Sequence, residues 1–458
     1  MIINVRGLCI APKRYWRLAL LAVTAPLLLL GSAASAANPP ALRLLYTIAI
    51  NGTAAKPNTQ MFSFDISWVD PTNGLYFLGD RSNAAIDVID TTGAFTGTPD
   101  TLFGQIGGAA FGFAGDTGST ATSGPNGVTS SFPCIFATDG PSRVVSINAS
   151  VSYTTPASSL NTGGTKRADE LAYDPTDGLL LVINNADTPP FGTLITVNKS
   201  TCALGSTKKI IFDAAHGANA TNGAEQPVWE PKTGKFYVSI PEFDGDGSGA
   251  FFKGGIAQIN TSGVLEGLYQ INYCQPAGLT VGPNGDLLVG CNSVFDNNAN
   301  QVDTAHKCTA VIPSPSPTGA PAGAPVTCKG LAEPQTVICN PAPGRGCTGN
   351  ALVSVPGVGG GDEIWSNSGD GNYYITAGND PVGPVFGVVT SGTSTPANTL
   401  TQLVPTLPPV PAVAGVHGAG TVHSIAASAA NNHVYVPLPA NTLYNNCTKG
   451  CVAVFSAQ

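Results

Sequence analysis

The sequence predicts an all-β chain folded as a single β-propeller of seven blades, and three observations carry that expectation. The composition joins 55 Gly and 37 Pro to 43% hydrophobic residues with only 10% charged, which suits many short strands and turns around a large core and not a disordered chain. A loose unit recurs: a polar or acidic residue, a short apolar strand, a D-P or P-N-G turn, and a second strand ending in Asn, Asp or Gly. A third and often a fourth strand follow, at a spacing that matches propeller blades.

Taken from the N-terminus, residues 1–36 read as a secretory signal peptide, placing the chain in a secreted or periplasmic compartment. Arg6, Lys13, Arg14 and Arg17 precede an apolar run from Leu18 to Leu30, and Ala34-Ser35-Ala36 makes a small-residue cleavage site. The apolar run is too short for a comfortable membrane span of roughly 20 residues, and no later stretch is long and apolar enough. Residues 37–458 then form the propeller. LLYTIAI from Leu44 is a lone strand ahead of the first complete unit, FDISWVDPTNGLYFLGDR from Phe64.

GPNGVTSSFPCIFATDG from Gly124 is the weakest copy, and if it is a loop the ring has six blades. ADELAYDPTDGLLLVINNAD from Ala168, AEQPVWEPKTGKFYVSIPEFDGD from Ala224 and QPAGLTVGPNGDLLVGCNS from Gln275 follow. A Pro- and Cys-rich insertion at about 294–350 is too rich in Pro for regular sheet and reads as a stapled surface loop, with a lid over the channel as the sharper alternative. GDEIWSNSGDGNYYITAGND from Gly361 and VHSIAASAANNHVYVPLPAN from Val422 complete the set. The last unit stops at its third strand, CVAVFSA, so LLYTIAI is expected to pair beside it and close the ring, removing the free edges.

The leader holds four of the 20 Lys+Arg and none of the 28 Asp+Glu, leaving a net charge of −12. That balance argues against a nucleic-acid partner, which needs a basic face. Without Cys9 of the leader, ten of the 11 cysteines remain, an even number that reads as a disulfide framework in an exported chain. Cys274 and Cys291 flank a hairpin and are expected to pair, as are Cys447 and Cys451. Cys308, Cys328, Cys339 and Cys347 would staple the insertion, since zinc would need a C-x-x-C pair that is missing. The sequence leaves the partners of Cys134 and Cys202 and the oligomeric state open.

In a propeller the innermost strand of each blade starts at the face where the second strand ends, so these positions gather around one mouth. First-strand starts supply Asp65, Asn126, Asp169, Glu170, Glu225, Asp362, Glu363 and His423. Second-strand ends supply Asp80, Arg81, Asn184, Asn185, Asp187, Glu242, Asp244, Asp246, Asn292, Asn379 and Asp380. Converging carboxylates need a cation or protons, and an oxygen-rich ring suits Ca²⁺. From position, Glu225, Asn126, Glu170 and Glu363 are the expected metal ligands, and Asp362, Glu363 and His423 the expected acid or base. Strand ends are also polar in any propeller simply because they are wet. Asp244 and Asp246 lie in a Gly-rich loop without EF-hand spacing, a flexible acidic turn or a loop calcium site. No G-x-S-x-G elbow or phosphate loop is present.

At AEQPVWEPKTGKFYVSI the chain resembles the SMP-30/gluconolactonase group of propellers through Glu225, Pro227 and Trp229. The resemblance implies Glu225 as a metal ligand at the channel mouth, with GPNGV offering Asn126 as an Asn ligand; Ala277 stands where another Asn would be, and the group's later Asp ligand has no counterpart. The wider repeat looks equally like NHL-type and YVTN-type propellers, many of which bind or scaffold. Two functions follow: a metal-dependent lactone or ester hydrolase acting at the mouth, or a non-catalytic extracellular or periplasmic propeller that binds a protein, glycan or small ligand.

Overall fold

The computed structural model describes residues 41–457 apart from 246, 248–252, 273, 295–306, 312–324, 328–334, 343–346, 348–352, 360, 379, 381–383, 408–409, 412–419 and 421. The 1–36 leader, Asp246, Asn379 and most of the insertion therefore lie outside the described residues.

The described chain forms seven four-stranded antiparallel sheets, the seven blades. Their innermost strands are Ser67–Val69, Val128–Ser131, Leu171–Asp174, Pro227–Glu230, Cys274–Val281, Ile364–Asn367 and Ala426–Ala427. The segment after Gly124 is thus a blade and not a loop. In blade 5 the third and fourth strands, Gln335–Cys339 and Val353–Pro356, follow an insertion that carries its own two-stranded hairpin, Lys307–Val311 with Pro325–Thr327.

The turn between the first two strands of several blades is built by one device. Asp70 Oδ1 accepts the backbone N–H groups of Thr72 and Asn73 at 2.8 and 3.1 Å, and Asp174 Oδ1 accepts that of Thr176 at 2.8 Å. In blade 4 the carboxylate of Glu230 accepts from Lys232 N at 3.0 Å and Thr233 N at 2.6 Å. Each of these turns ends in a glycine at positive φ, +70° at Gly74, +67° at Gly178 and +64° at Gly234, a conformation that a side chain disfavours.

Second strands such as Leu75–Asp80 are buried along their whole length, because a blade is covered on both faces, so their sequence runs apolar without a period of two. The core is correspondingly divided into clusters at the seams between consecutive blades. Phe77 and Val88 of blade 1 pack with Ile135 and Val145 of blade 2. At the closing seam Ile48, Val452 and Tyr435 of blade 7 pack with Tyr76 and Leu78 of blade 1.

Closure is made as expected by the N-terminal strand. Leu42–Ala49 pairs antiparallel with Cys451–Ala457, from Leu42 opposite Ala457 to Ala49 opposite Cys451, with a register shift between Leu44 and Tyr46. Disulfides join Cys274 to Cys291 and Cys447 to Cys451 as their spacing predicts, and Cys339 to Cys347 within blade 5. A fourth links Cys134 of blade 2 to Cys202 of blade 3, 68 residues apart. Among the described residues no helix is long and apolar enough to cross a membrane.

Candidate functional site at the channel mouth

The starts of neighbouring inner strands are tied to each other by backbone hydrogen bonds. Gly127 N donates to Asp169 O at 3.1 Å, Gly278 N to Gly361 O at 2.9 Å and Glu363 N to His423 O at 3.1 Å. The approach at the first of these leaves no room for a side chain: a Cβ on Gly127 would sit 2.4 Å from Asp169 O. The P-N-G signal of blade 2 therefore has a packing cause.

On this frame the expected residues separate into two groups. Asp65, Arg81, Asn126 and Asp169 are buried in the wall. Arg81 forms an ion pair with Asp65, and its Nε donates to Asn126 Oδ1 at 2.7 Å. Asn126 Nδ2 in turn donates to Ser123 O at 3.0 Å and Ala168 O at 2.8 Å. The Asn126 amide is thus spent on joining blades 1, 2 and 3.

Glu363 is also turned into the wall. Its carboxylate accepts from Ser67 N at 3.1 Å, from Ser67 Oγ at 3.2 Å, from Ile425 N at 3.1 Å and from the Ser424 hydroxyl. It bridges blades 6, 7 and 1. Burial pushes this carboxyl up to about 8, with the Ser424, Ser67 and Ile425 donors pulling the other way.

The second group faces channel water. Asp362 is exposed, and Glu225, Arg167 and His423 are half-buried. His423 stacks on Phe64 at 5.0 Å between ring centroids, with Nε2 3.1 Å from Phe64 O and 3.6 Å from Asp65 Oδ1. Arg167, which the repeat does not single out because it precedes the unit by one residue, donates from Nη2 to Asp169 Oδ2 at 2.6 Å. Its signal was its place beside Ala168-Asp169-Glu170, one of two blade starts that carry adjacent acids, the other being Asp362-Glu363.

Five carboxyls, Asp65, Asp169, Glu170, Glu225 and Asp362, share this mouth with two guanidiniums and one imidazole, and their protonation is set by who sits beside whom. Burial works against charge on Asp65, but Arg81, His423 and Arg167 outweigh it and hold it well below the usual carboxylate range. Burial, with Asp65 adding to it and Arg167 opposing it, leaves Asp169 at about 6. Burial and then Asp169 and Asp362 push Glu225 up to about 8. Glu170, buried and beside Glu225, Asp169 and Asp362, is raised well above its ordinary value, and its Oε2 has no hydrogen-bond partner. Burial also raises Asp362, with Asp65 adding to it and His423 opposing it, although part of the residue is exposed at the surface. Burial would lower His423, yet Asp65 and Asp362 raise it on balance.

The residues present do not fit a Ca²⁺ cage. Guanidiniums are interleaved with the acids, while Asn126 and Glu363, two of the four expected ligands, spend their oxygens on protein donors. Among the described residues no three His, Cys, Asp or Glu groups stand in metal-binding geometry.

The other second-strand ends mostly hold loops. Asp187 accepts from Thr165 N at 2.8 Å, Glu242 from Thr221 Oγ1 at 2.8 Å and Asp244 from Asn219 at 3.0 Å. Between the loops of blades 3 and 4 lies a cavity of about 660 Å³, lined in part by Asp187, Asn219 and Thr221, that reaches Glu225. Among the described residues its charged lining is Asp187, Asp213 and Glu225, without Lys or Arg.

No protein-family model matches the sequence, and no curated protein matches it. The chain is similar in structure to hydrazine synthase of Kuenenia stuttgartiensis, at 11% identity and TM-score 0.56 over 89% of this chain and 99% of that one. It is also similar to the Pan2 WD40 domain of Neurospora crassa, at 8% identity and TM-score 0.52 over 91% and 95%, and to the WD40 propeller domain of Doa1, at 10% and 0.50 over 91% and 97%. At these identities the likeness shows the propeller fold alone, so the SMP-30/gluconolactonase resemblance is supported only at the level of fold.

Proposed function

We propose that the chain is an exported, non-catalytic propeller that binds a positively charged group, from a small ligand or a partner segment, in the cavity leading to Glu225. The reading of export draws on the leader-like residues 1–36 and on the four disulfides. The observation that carries the binding reading is the cavity of about 660 Å³ whose charged lining is wholly acidic. It ends at a carboxyl raised to about 8 by burial and by its acidic neighbours. An ammonium or guanidinium seated there adds to the partial counter-charge of Arg167 and lowers that pKa, so binding releases protons below pH 8.

Calorimetry with spermidine at pH 7, in buffers of different ionisation enthalpy, reads both effects. Binding with proton release, weakened about tenfold or more in Glu225→Gln, is the expected result; equal binding of spermidine and a neutral polyol of similar size would sink the reading.

Hydrolysis of a lactone or ester is a second reading, favoured by the half-buried His423 beside Asp65 and Asp362 at a wet mouth. Without a fitting ion, these side chains alone would move the protons. Turnover in a lactone and ester panel, with and without added Ca²⁺, that disappears in His423→Gln would favour this reading over simple binding.

A further inference from the structure

Below the charged mouth the channel changes character. A second cavity of about 410 Å³ runs from Gln226 and Glu363 at the strand starts to Pro71, Thr72, Pro175 and Pro231 in the turns at the opposite face. Its upper end is crossed by two polar side chains engaged with neighbouring blades: Glu363, bonded to blades 1 and 7, and Gln226, whose Oε1 accepts from Leu279 N of blade 5 at 2.7 Å. The walls between are largely apolar and aromatic, with hydroxyls from Thr129, Ser130, Ser131, Thr280 and Ser366 among them.

Three tryptophans line this well, Trp68, Trp229 and Trp365. None is fully buried. Trp68 and Trp365 belong to blades 1 and 6, yet their rings meet edge-to-face at 5.1 Å. They can do so because the inner strand of the intervening blade 7 is reduced to Ala426–Ala427, whose side chains leave the space open. Trp68 is further locked by its Nε1, which donates to Ser130 Oγ at 2.9 Å, so the rings are held in place and their exposed edges are a built surface.

We infer that this lower channel is a second binding site, distinct from the charged mouth, for a small apolar molecule entering from the face where the inner strands end. Apolar walls with few polar groups, enclosed on several sides and preformed, are what such ligands need. The tight aromatic pair adds flat contact area at little entropic cost. A protein segment is disfavoured by enclosure within a ring of inner strands, and a glycan needs more polar partners than the wall hydroxyls and the unpaired Trp229 Nε1 supply.

The fourth tryptophan of the chain, Trp16, lies in the leader, so in a chain cleaved after Ala36 the whole intrinsic tryptophan fluorescence reports on this well. N-phenyl-1-naphthylamine, a neutral apolar fluorophore that accepts energy from tryptophan, is the probe. Saturable energy transfer at a one-to-one ratio, with the tryptophans protected from acrylamide quenching, is the expected result. Ala172→Phe, which adds a ring to the wall of the well, should weaken that binding about tenfold or more and leave spermidine binding unchanged, while Glu225→Gln should do the reverse. Absence of saturable transfer, or transfer without quenching protection in the unaltered protein, overturns the inference even if Ala172→Phe does not fold. Equal affinity in a folded Ala172→Phe overturns it as well.

Discussion

Glu363 and Asp65 start inner strands of blades separated by one neighbour, yet their surroundings drive them to opposite protonation states. Burial lifts Glu363 to about 8 against neutral donors from Ser424, Ser67 and Ile425, whereas Arg81 and His423 keep Asp65 ionised. The linkage follows from the sign of each shift. Glu225 and Glu363, each at about 8, and Asp80 and Asp169, each at about 6, hold protons in the fold that the unfolded chain releases between about 4 and 8. The contribution of His423, whose pKa is raised, is fully present below 6.5 and is lost as pH rises through its folded value. Both kinds of group therefore make the fold less stable as pH rises from 5 to 8.5. Asp65, with its depressed pKa, acts the other way, and its contribution is lost only as pH falls well below 4. The melting temperature is expected to be a few degrees higher at pH 5 than at pH 8.5, with part of the slope removed in Glu225→Gln; a flat or rising profile over that range contradicts the assignment.

At the scale of the element, one turn device and, among the described residues, four covalent links organise the blades. The Cys274–Cys291 and Cys447–Cys451 bridges were legible because each joins segments that the local hairpin or short loop already brings together. Cys134–Cys202 was not, because it connects a second strand of one blade to the loop after the third strand of the next, a contact that exists only once the blades are packed. Cys202 itself sits at φ +59°, a backbone state that a lone sequence position does not announce. Replacing both residues by Ser frees a 68-residue loop in the unfolded chain and should cost about 2–5 kcal/mol. Urea unfolding, compared with the unaltered protein under non-reducing conditions, measures it; a change below about 0.5 kcal/mol would show that the seam between blades 2 and 3 does not depend on the bridge.

The whole molecule is held by closure of its ring. Every blade seam has its own apolar cluster, and the last is completed only when Ile48 and Ile50 from the N-terminal segment meet Val452 and Val454 from the C-terminal strand and Tyr76 and Leu78 of blade 1. The same seam carries Asp100, whose carboxylate accepts from Tyr46 at 2.5 Å, from the Tyr435 hydroxyl and, at 2.7 Å, from His433 Nδ1 where that nitrogen carries the proton. Removing residues 42–49 takes away the outer strand of blade 7, bares the edge of Cys451–Ala457 and opens the cluster. Such a chain is expected to melt at a markedly lower temperature and to self-associate through the bared edge. Size-exclusion chromatography with light scattering checks this, and an unchanged melting point with a monodisperse monomer would show that the ring does not need its closing strand.

What the sequence determined by itself was the set of features that repeat. The polar start, apolar strand, turn and second strand recur because every blade solves the same packing problem, so the propeller, the closing strand and the ring of polar residues at one mouth could be read from one-dimensional order, while the choice of seven blades over six waited on the segment after Gly124. Only the tertiary structure decided which members of that ring face water and which are spent in the wall. Glu363 bonds Ser67 and Ile425, Asn126 is shared by Arg81 and Ala168, and Arg167 brings its charge to Asp169. Apart from Arg167, two residues from Asp169 in the same segment, these partners lie on other strands or on neighbouring blades, tens to hundreds of residues away. A strand-start position records that a side chain is near the mouth, but its direction and charge state depend on groups supplied by other blades, and nothing in the local pattern encodes them.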